Sequence, residues 1–179
     1  LRTGAVERLT DHEYAVAHAT LSPDERRVAY SCRVPDRSGS ATFVLDVDGG
    51  RPREVTVGER DGELAPADWH PDGRRLLVGD NSPDRPRSGV YDTDTESVTW
   101  LGDDQYVEEP VLFTPSGEEF LAVRSDGISE LPVVYDLDTG DHRVLDYAPG
   151  VVEYPYQHGL CRCQTAAFGD RTLLVRHET

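Results

Sequence analysis

The residues best equipped for chemistry stand near the C-terminus, in His158-Gly159-Leu160-Cys161-Arg162-Cys163. An imidazole and two thiols make a soft ligand set, but zinc ordinarily takes a fourth ligand from a second knuckle with Cys-x2-Cys or His-x3-His spacing. The one other cysteine, Cys32, stands far upstream. On a strand Cys161 and Cys163 share one face while Arg162 takes the other, so two buried thiols are expected rather than a metal site or a Cys-x-Cys redox pair. A serine hydrolase would need Gly-x-Ser-x-Gly on a strand-turn-helix, with Asp and His partners following. The sequence has none, and Ser88-Gly89 and Ser116-Gly117 read as turn serines. No residue is therefore assigned a catalytic, cofactor-binding or metal role.

Carboxylates supply the remaining candidates. Asp46-Val47-Asp48-Gly49-Gly50, Asp92-Thr93-Asp94 and Asp136-Leu137-Asp138-Thr139-Gly140 have the outline of calcium loops. A calcium loop ends on a bidentate Glu at its twelfth position, and counting from Asp136 that position is Tyr147. Asx turns that close hairpins explain the pattern instead. Glu108-Glu109 and Glu118-Glu119 could hold a cationic group, yet in so acidic a chain they read as solvated surface.

The elements that must position these residues come from a repeat. Ser22-Pro23-Asp24-Glu25-Arg26-Arg27-Val28-Ala29-Tyr30, His70-Pro71-Asp72-Gly73-Arg74-Arg75-Leu76-Leu77-Val78 and Thr114-Pro115-Ser116-Gly117-Glu118-Glu119-Phe120-Leu121-Ala122 each join a tight turn to an apolar strand, with prolines 48 and then 44 residues apart. The Asp hairpins follow those prolines by 23, 21 and 21 residues, and Val55, Leu101 and Leu145 each lie nine residues beyond the first Asp. A period of about 40 to 45 residues with four short strands matches a β-propeller blade. The fold expected is all-β, a propeller fragment of four-stranded antiparallel blades over residues 14–56, 64–101 and 107–146, with no helix. Val28, Tyr30, Phe43 and Leu45 should be core.

Partial blades are expected at both ends. Residues 1–10 align with the outer strand of a preceding blade, and 151–179 form a partial blade with an insertion. In that last unit Phe168 stands at the proline position, 23 residues after Leu145, whereas the other units show 14 to 16.

The chain carries 34 Asp and Glu against 18 basic residues, all of them Arg, for a net charge of −16 over 179 residues. Nucleic acid needs a basic footprint and anionic lipid a basic surface, so neither is an expected partner. The acidity fits either plain solubility or adaptation to high salt, and the complete absence of Lys favours the second. Proteins of salt-loving archaea have this composition. No apolar run reaches the roughly 18 residues that span a bilayer, and no signal peptide opens the chain. The cytoplasm is the expected location, though the start at Leu1 rather than Met leaves a removed signal open.

The Ser-Pro-Asp-Glu-Arg-Arg-Val-Ala-Tyr and Trp-His-Pro-Asp-Gly-Arg-Arg-Leu-Leu-Val units resemble the WD-like propeller repeats of TolB-like proteins and prolyl oligopeptidase family serine peptidases. Leu9-Thr10-Asp11, Trp69-His70-Pro71-Asp72-Gly73 and Val134-Tyr135-Asp136-Leu137-Asp138-Thr139-Gly140, without lysine, most resemble archaeal members of that family. The resemblance implies a non-catalytic propeller that gates access of short peptides to an α/β-hydrolase domain of the same polypeptide. No triad residue maps onto this sequence, and the family pattern departs at His70, Ser116 and Phe168. The alternatives are a TolB-like scaffold that binds protein or peptide, and a propeller enzyme with its site in the central funnel. No cofactor is implied.

Overall fold

In the computed structural model the described residues are 6–11, 13, 15–34, 39–57, 64–81, 86–102, 105–125 and 130–145, together with four short backbone stretches between 151 and 178. Three sheets of four antiparallel strands follow one another along the chain. The first contains β1 (Val16–Leu21), β2 (Arg27–Arg33), β3 (Ser40–Asp46) and β4 (Arg53–Val55). The second contains β5 (Leu64–Trp69), β6 (Arg75–Asp80), β7 (Arg87–Asp92) and β8 (Ser97–Leu101). The third contains β9 (Val107–Phe113), β10 (Glu119–Ser125), β11 (Glu130–Asp136) and β12 (His142–Val144). Each sheet is a meander paired in sequence order, which is the blade read from the repeat.

Two hairpin-like pairs follow, β13 (Val151–Val152) with β16 (His177–Glu178) and β14 (Ala166–Phe168) with β15 (Leu173–Val175). They fall in the segment expected to hold a partial blade. Residues 6–10, the described part of the expected outer strand over 1–10, are irregular, and no ladder among the described residues includes them. No helix occurs among the described residues.

Alternation across the strands explains the packing. Side chains point to opposite sides with a period of two, and a blade lies between two neighbours, so both sides must be apolar. On β6, Leu76 and Val78 join Trp69 and Tyr91 in packing on Ala29, Val44 and Val55 of the first blade. Leu77, between them, turns the other way with Ala67 and Val90 and meets Phe113, Phe120, Val133 and Tyr135 of the third. Tyr30 and Leu45 are buried as expected, whereas Val28 and Phe43 are only partly so.

The innermost strands β1, β5 and β9 pack against each other in succession. Each contains a bulge where the ladder to the second strand skips one residue, at equivalent positions in β5 (Ala67) and β9 (Val111) and two residues earlier in β1 (Ala17). A bulge bends and twists its strand, and β5 and β9 share that bend at the same ladder position.

Turn chemistry sorts the connections by end. The first and third turns of every blade share one end of the array, the tight-turn end, while the strands that lead into the second turns and into the links between blades finish at the other. Asp24, Asp72, Asp92 and Asp136 close the tight turns by accepting backbone N–H groups two or three residues ahead. The Asx reading of the Asp-x-Asp hairpins is therefore what the geometry shows at Asp92 and Asp136. The fourth residue of each blade's first turn has positive φ: Glu25 at 59°, Gly73 at 68° and Gly117 at 75°.

Candidate functional site

Polar side chains gather in two constellations, one at each end of the array, and the first of them joins the blades. At the tight-turn end the acceptor is the carbonyl of the positive-φ residue. Arg27, first residue of β2, donates from one guanidinium nitrogen to Gly73 O and from the other to Thr93 Oγ1 at 3.2 Å. Its guanidinium also lies 5.1 Å over the Trp69 ring, a cation–π placement.

His70 does the corresponding work between the second and third blades. Only 5% exposed, its Nε2 stands 2.9 Å from Gly117 O, and its Nδ1 accepts the Asp72 N–H at 3.0 Å. A carbonyl cannot donate, so the hydrogen in the contact with Gly117 is carried by Nε2, while Nδ1 also stands 2.9 Å from Asp72 Oδ2 and Arg75 Nη2 lies 2.7 Å from Nε2. The ring meets Phe113 edge-on at 5.0 Å. Burial by itself would raise the Asp72 carboxyl, but the Arg74 and Arg75 amides, the Arg75 side chain and His70 overturn that and hold it far below the usual carboxylate range. The inner strands add two further bonds between blades, Trp69 Nε1–H to Thr20 O at 3.1 Å and Phe113 N–H to Asp68 Oδ2 at 2.9 Å.

At the opposite end, within the third blade, lies a charge network that the sequence reading placed wrongly. Glu108 is not solvated surface but 1% exposed. Its carboxylate accepts Arg124 Nε–H at 2.5 Å and the Tyr135 hydroxyl. Arg124, opposite Glu108 in the ladder and 6% exposed, also donates to His142 Nε2 at 3.0 Å and lies 4.3 Å over the Tyr106 ring. Burial first, and the bond to Glu108 second, push the Tyr135 phenol above its ordinary range. A buried carboxylate and guanidinium are tolerable only when paired and hydrogen-bonded throughout, and Gly102 permits it by holding φ at +117° where a Cβ would come within 2.9 Å of Glu108 Oε2. Glu119 of the second acidic pair binds Arg143 at 2.5 Å.

The other singled-out residues separate. Ser116 is a turn residue whose hydroxyl receives Glu118 N–H at 3.3 Å. Ser88 and Gly89, expected in a turn, lie instead within β7, because the Trp100 ring of β8 covers Gly89 and the ladder continues through both. Cys32 is a free, buried thiol that burial pushes upward. His158, Cys161 and Cys163 lie outside the described residues. Among the described residues no group of three His, Cys, Asp or Glu side chains is arranged to hold a metal ion.

These features define a class of protein: an array of β-propeller blades joined by polar contacts at the turns and by apolar faces between sheets. No protein-family model and no curated protein matches the sequence. The fold is similar to TolB from Acinetobacter baumannii, with a TM-score of 0.64 and 21% identity over 80% of this chain and 36% of that one. It is also similar to a Mycobacterium tuberculosis puromycin-hydrolyzing peptidase, with a TM-score of 0.61 and 23% identity over 87% of this chain and 24% of that one. An oligogalacturonate lyase in complex with manganese has a TM-score of 0.63 and 18% identity over 80% of this chain and 39% of that one. The chain thus spans well under half the length of each, and at such identities the likeness is one of fold. Structural neighbours include TolB-like propellers and the propeller domains of prolyl oligopeptidase family peptidases.

Proposed function

We propose that the chain is the non-catalytic, substrate-gating propeller portion of a prolyl oligopeptidase family serine peptidase, acting with an α/β-hydrolase domain of the same polypeptide on short peptides. The observation that supports this most directly is the succession of three blades shared with structures described as puromycin hydrolase and as prolyl endopeptidases. In this role the propeller contributes size exclusion. Its inner strands line a passage, and the turn bonds of Arg27 and His70 keep neighbouring blades from parting, so a short peptide enters where a folded protein does not.

The test pairs a fluorogenic short-peptide assay with labelling by a serine-directed fluorophosphonate, on the 179-residue chain and on the longer polypeptide that carries it. The chain itself is expected to hydrolyse nothing and take no label, because acyl transfer needs a nucleophile held against a base and an oxyanion hole. Label on the chain would overturn the non-catalytic assignment. A longer polypeptide with no labelled serine would favour a TolB-like scaffold that binds protein or peptide, the reading supported by the likeness to TolB.

A further inference from the structure

At the tight-turn end the cleft between the first and second blades is bridged by arginines, and the equivalent cleft between the second and third is open. In the first cleft Arg27 Nη1 donates to Thr93 Oγ1 at 3.2 Å, while Arg53 donates to Thr93 O at 3.2 Å and pairs with Glu96 at 3.3 Å. The ladders identify the counterparts. Arg75 stands where Arg27 does, opposite an Asp of the third strand. Thr99 stands where Arg53 and Arg143 do, opposite a valine of the third strand. Leu137 follows Asp136 as Thr93 follows Asp92, so the hydroxyl that receives Arg27 has no equivalent in the second cleft. Gly140 takes the place of Glu96, each at positive φ in its turn. Arg75 does not cross to the third blade, because its Nε–H goes to Asp72 at 2.8 Å and its Nη2 lies 2.7 Å from His70 Nε2. A short side chain, a retracted guanidinium and two missing acceptors leave a cavity of about 180 Å³.

The lining of that cavity sorts by chemistry. Val90, Leu101 and Leu137 are its aliphatic part, and Thr95, Ser97 and Thr99 bring hydroxyls. Asp92 also lines it, but its carboxylate is already spent: Oδ1 accepts the Asp94 and Thr95 amides and Oδ2 the Arg74 guanidinium. Arg75 keeps a donor in reserve, since neither of its bonds uses Nη1, which has no partner among the described residues. A guanidinium nitrogen with two N–H groups takes a carboxylate by charge-assisted hydrogen bonds. A cation is disfavoured, because Arg75 repels it and Gly140 offers no carboxylate where Glu96 holds Arg53. We propose that the cleft is a binding site for a carboxylate on a short branched aliphatic body, with the charge on Arg75 and the body against Leu101 and Leu137. The site is independent of whether the chain gates a peptidase or serves as a scaffold.

The test is a titration of the 179-residue chain with isovalerate at fixed pH and ionic strength, followed by amide and methyl NMR. Saturable shifts are expected at the amides of Thr95 to Leu101 and at the methyls of Leu101 and Leu137. Isovaleramide, of the same shape but neutral, should bind roughly tenfold more weakly, because it lacks the charge that strengthens the bond to Arg75. Thr99→Gln, at an exposed position of an edge strand, fills the cleft without changing its charge. It should abolish the shifts and leave the melting point within about 2 °C. Arg75→Gln should bring acid and amide to equal affinity, which loss of a purely structural arginine would not do. Acetyl-glycyl-leucine bound more tightly than isovalerate supports the site with a peptide C-terminus as its source, and the reverse order supports it with a free acid. Shifts that fail to saturate or spread over all surface arginines, equal binding of acid and amide by the wild type, or binding that survives Thr99→Gln would each overturn the proposal.

Discussion

Gly73 and Gly117 occupy the same turn position with nearly the same φ, 68° and 75°, yet replacing them with alanine should have different consequences. At Gly73 the nearest atom to an added Cβ is Asp24 Cγ at 4.0 Å, so Gly73→Ala meets only the cost of left-handed backbone, about 1 kcal/mol. At Gly117 the Cβ would come closer than 3.0 Å to both Nε2 and Cε1 of His70. The ring must move, and the buried bond from Nε2–H to Gly117 O is lost with it. Leaving such a group unsatisfied costs about 1–3 kcal/mol, so Gly117→Ala should cost about 2–4 kcal/mol in all. For a chain of this length each kcal/mol lowers the melting point by roughly 2–4 °C. Melts followed by circular dichroism should therefore show a fall of a few degrees for Gly73→Ala and about two to four times as much for Gly117→Ala. His70→Ser supplies the decisive arm, because Ser22 shows that a serine can support this turn. In that background Gly117→Ala should cost no more than Gly73→Ala does. Equal losses for the two alanines, or an unchanged difference after His70→Ser, would refute the idea that His70 holds the second and third blades together.

Other expectations follow from single residues. Glu25 occupies with a side chain the turn position that glycine takes in the next two blades, so Glu25→Gly should raise stability by about 0.5–1 kcal/mol in denaturant titration, the left-handed cost less glycine's entropy. Gly89→Ala should lower it and red-shift the tryptophan emission, since a Cβ there would stand 2.5 Å from Trp100 Cε3 and push the ring from beneath Arg87. The lowered Asp72 carboxyl contributes stability that is fully present above the usual carboxylate pKa of about 4 and is lost as pH falls toward its folded value. The melting-point gap between wild type and Asp72→Asn should accordingly shrink from pH 5 to pH 2. With a net charge of −16, melting in potassium chloride from 0.1 to 2 M should move upward as the Debye length falls from about 10 Å at 0.1 M to about 3 Å at 1 M; an unmoved midpoint would count against adaptation to salt.

The blades were legible in the sequence because their determinants are local. A Pro-Asp-Gly turn, an Asx hairpin and a strand apolar on both sides each act over a few residues, and repetition removed the ambiguity any one of them carries alone. The expected four-stranded antiparallel blades occur as three successive sheets. The bulges left no local signal. Ala67 and Val111 occupy the same ladder position without sharing a residue type, and Ala17, of the same type as Ala67, sits two residues away from that position.

The polar groups buried within and between the blades were hidden for a related reason. Glu108 occupies the position that is Val16 in the first blade and Leu64 in the second, so repeat logic predicts an aliphatic side chain there and local acidity predicts an exposed one. Neither holds, because Arg124 and Tyr135 come from other strands of the same sheet and satisfy the carboxylate across the ladder. His70 is the same case at the opposite end: as a lone residue before Pro71 it looks like a departure from the repeat, and only the approach of Gly117 from the next blade makes it a bridge. Departures from a repeat that are buried and fully hydrogen-bonded are thus where this protein distinguishes its second-to-third interface from its first. A propeller whose neighbouring blades are joined by different polar groups has a fixed order of blades, which identical apolar faces would not impose.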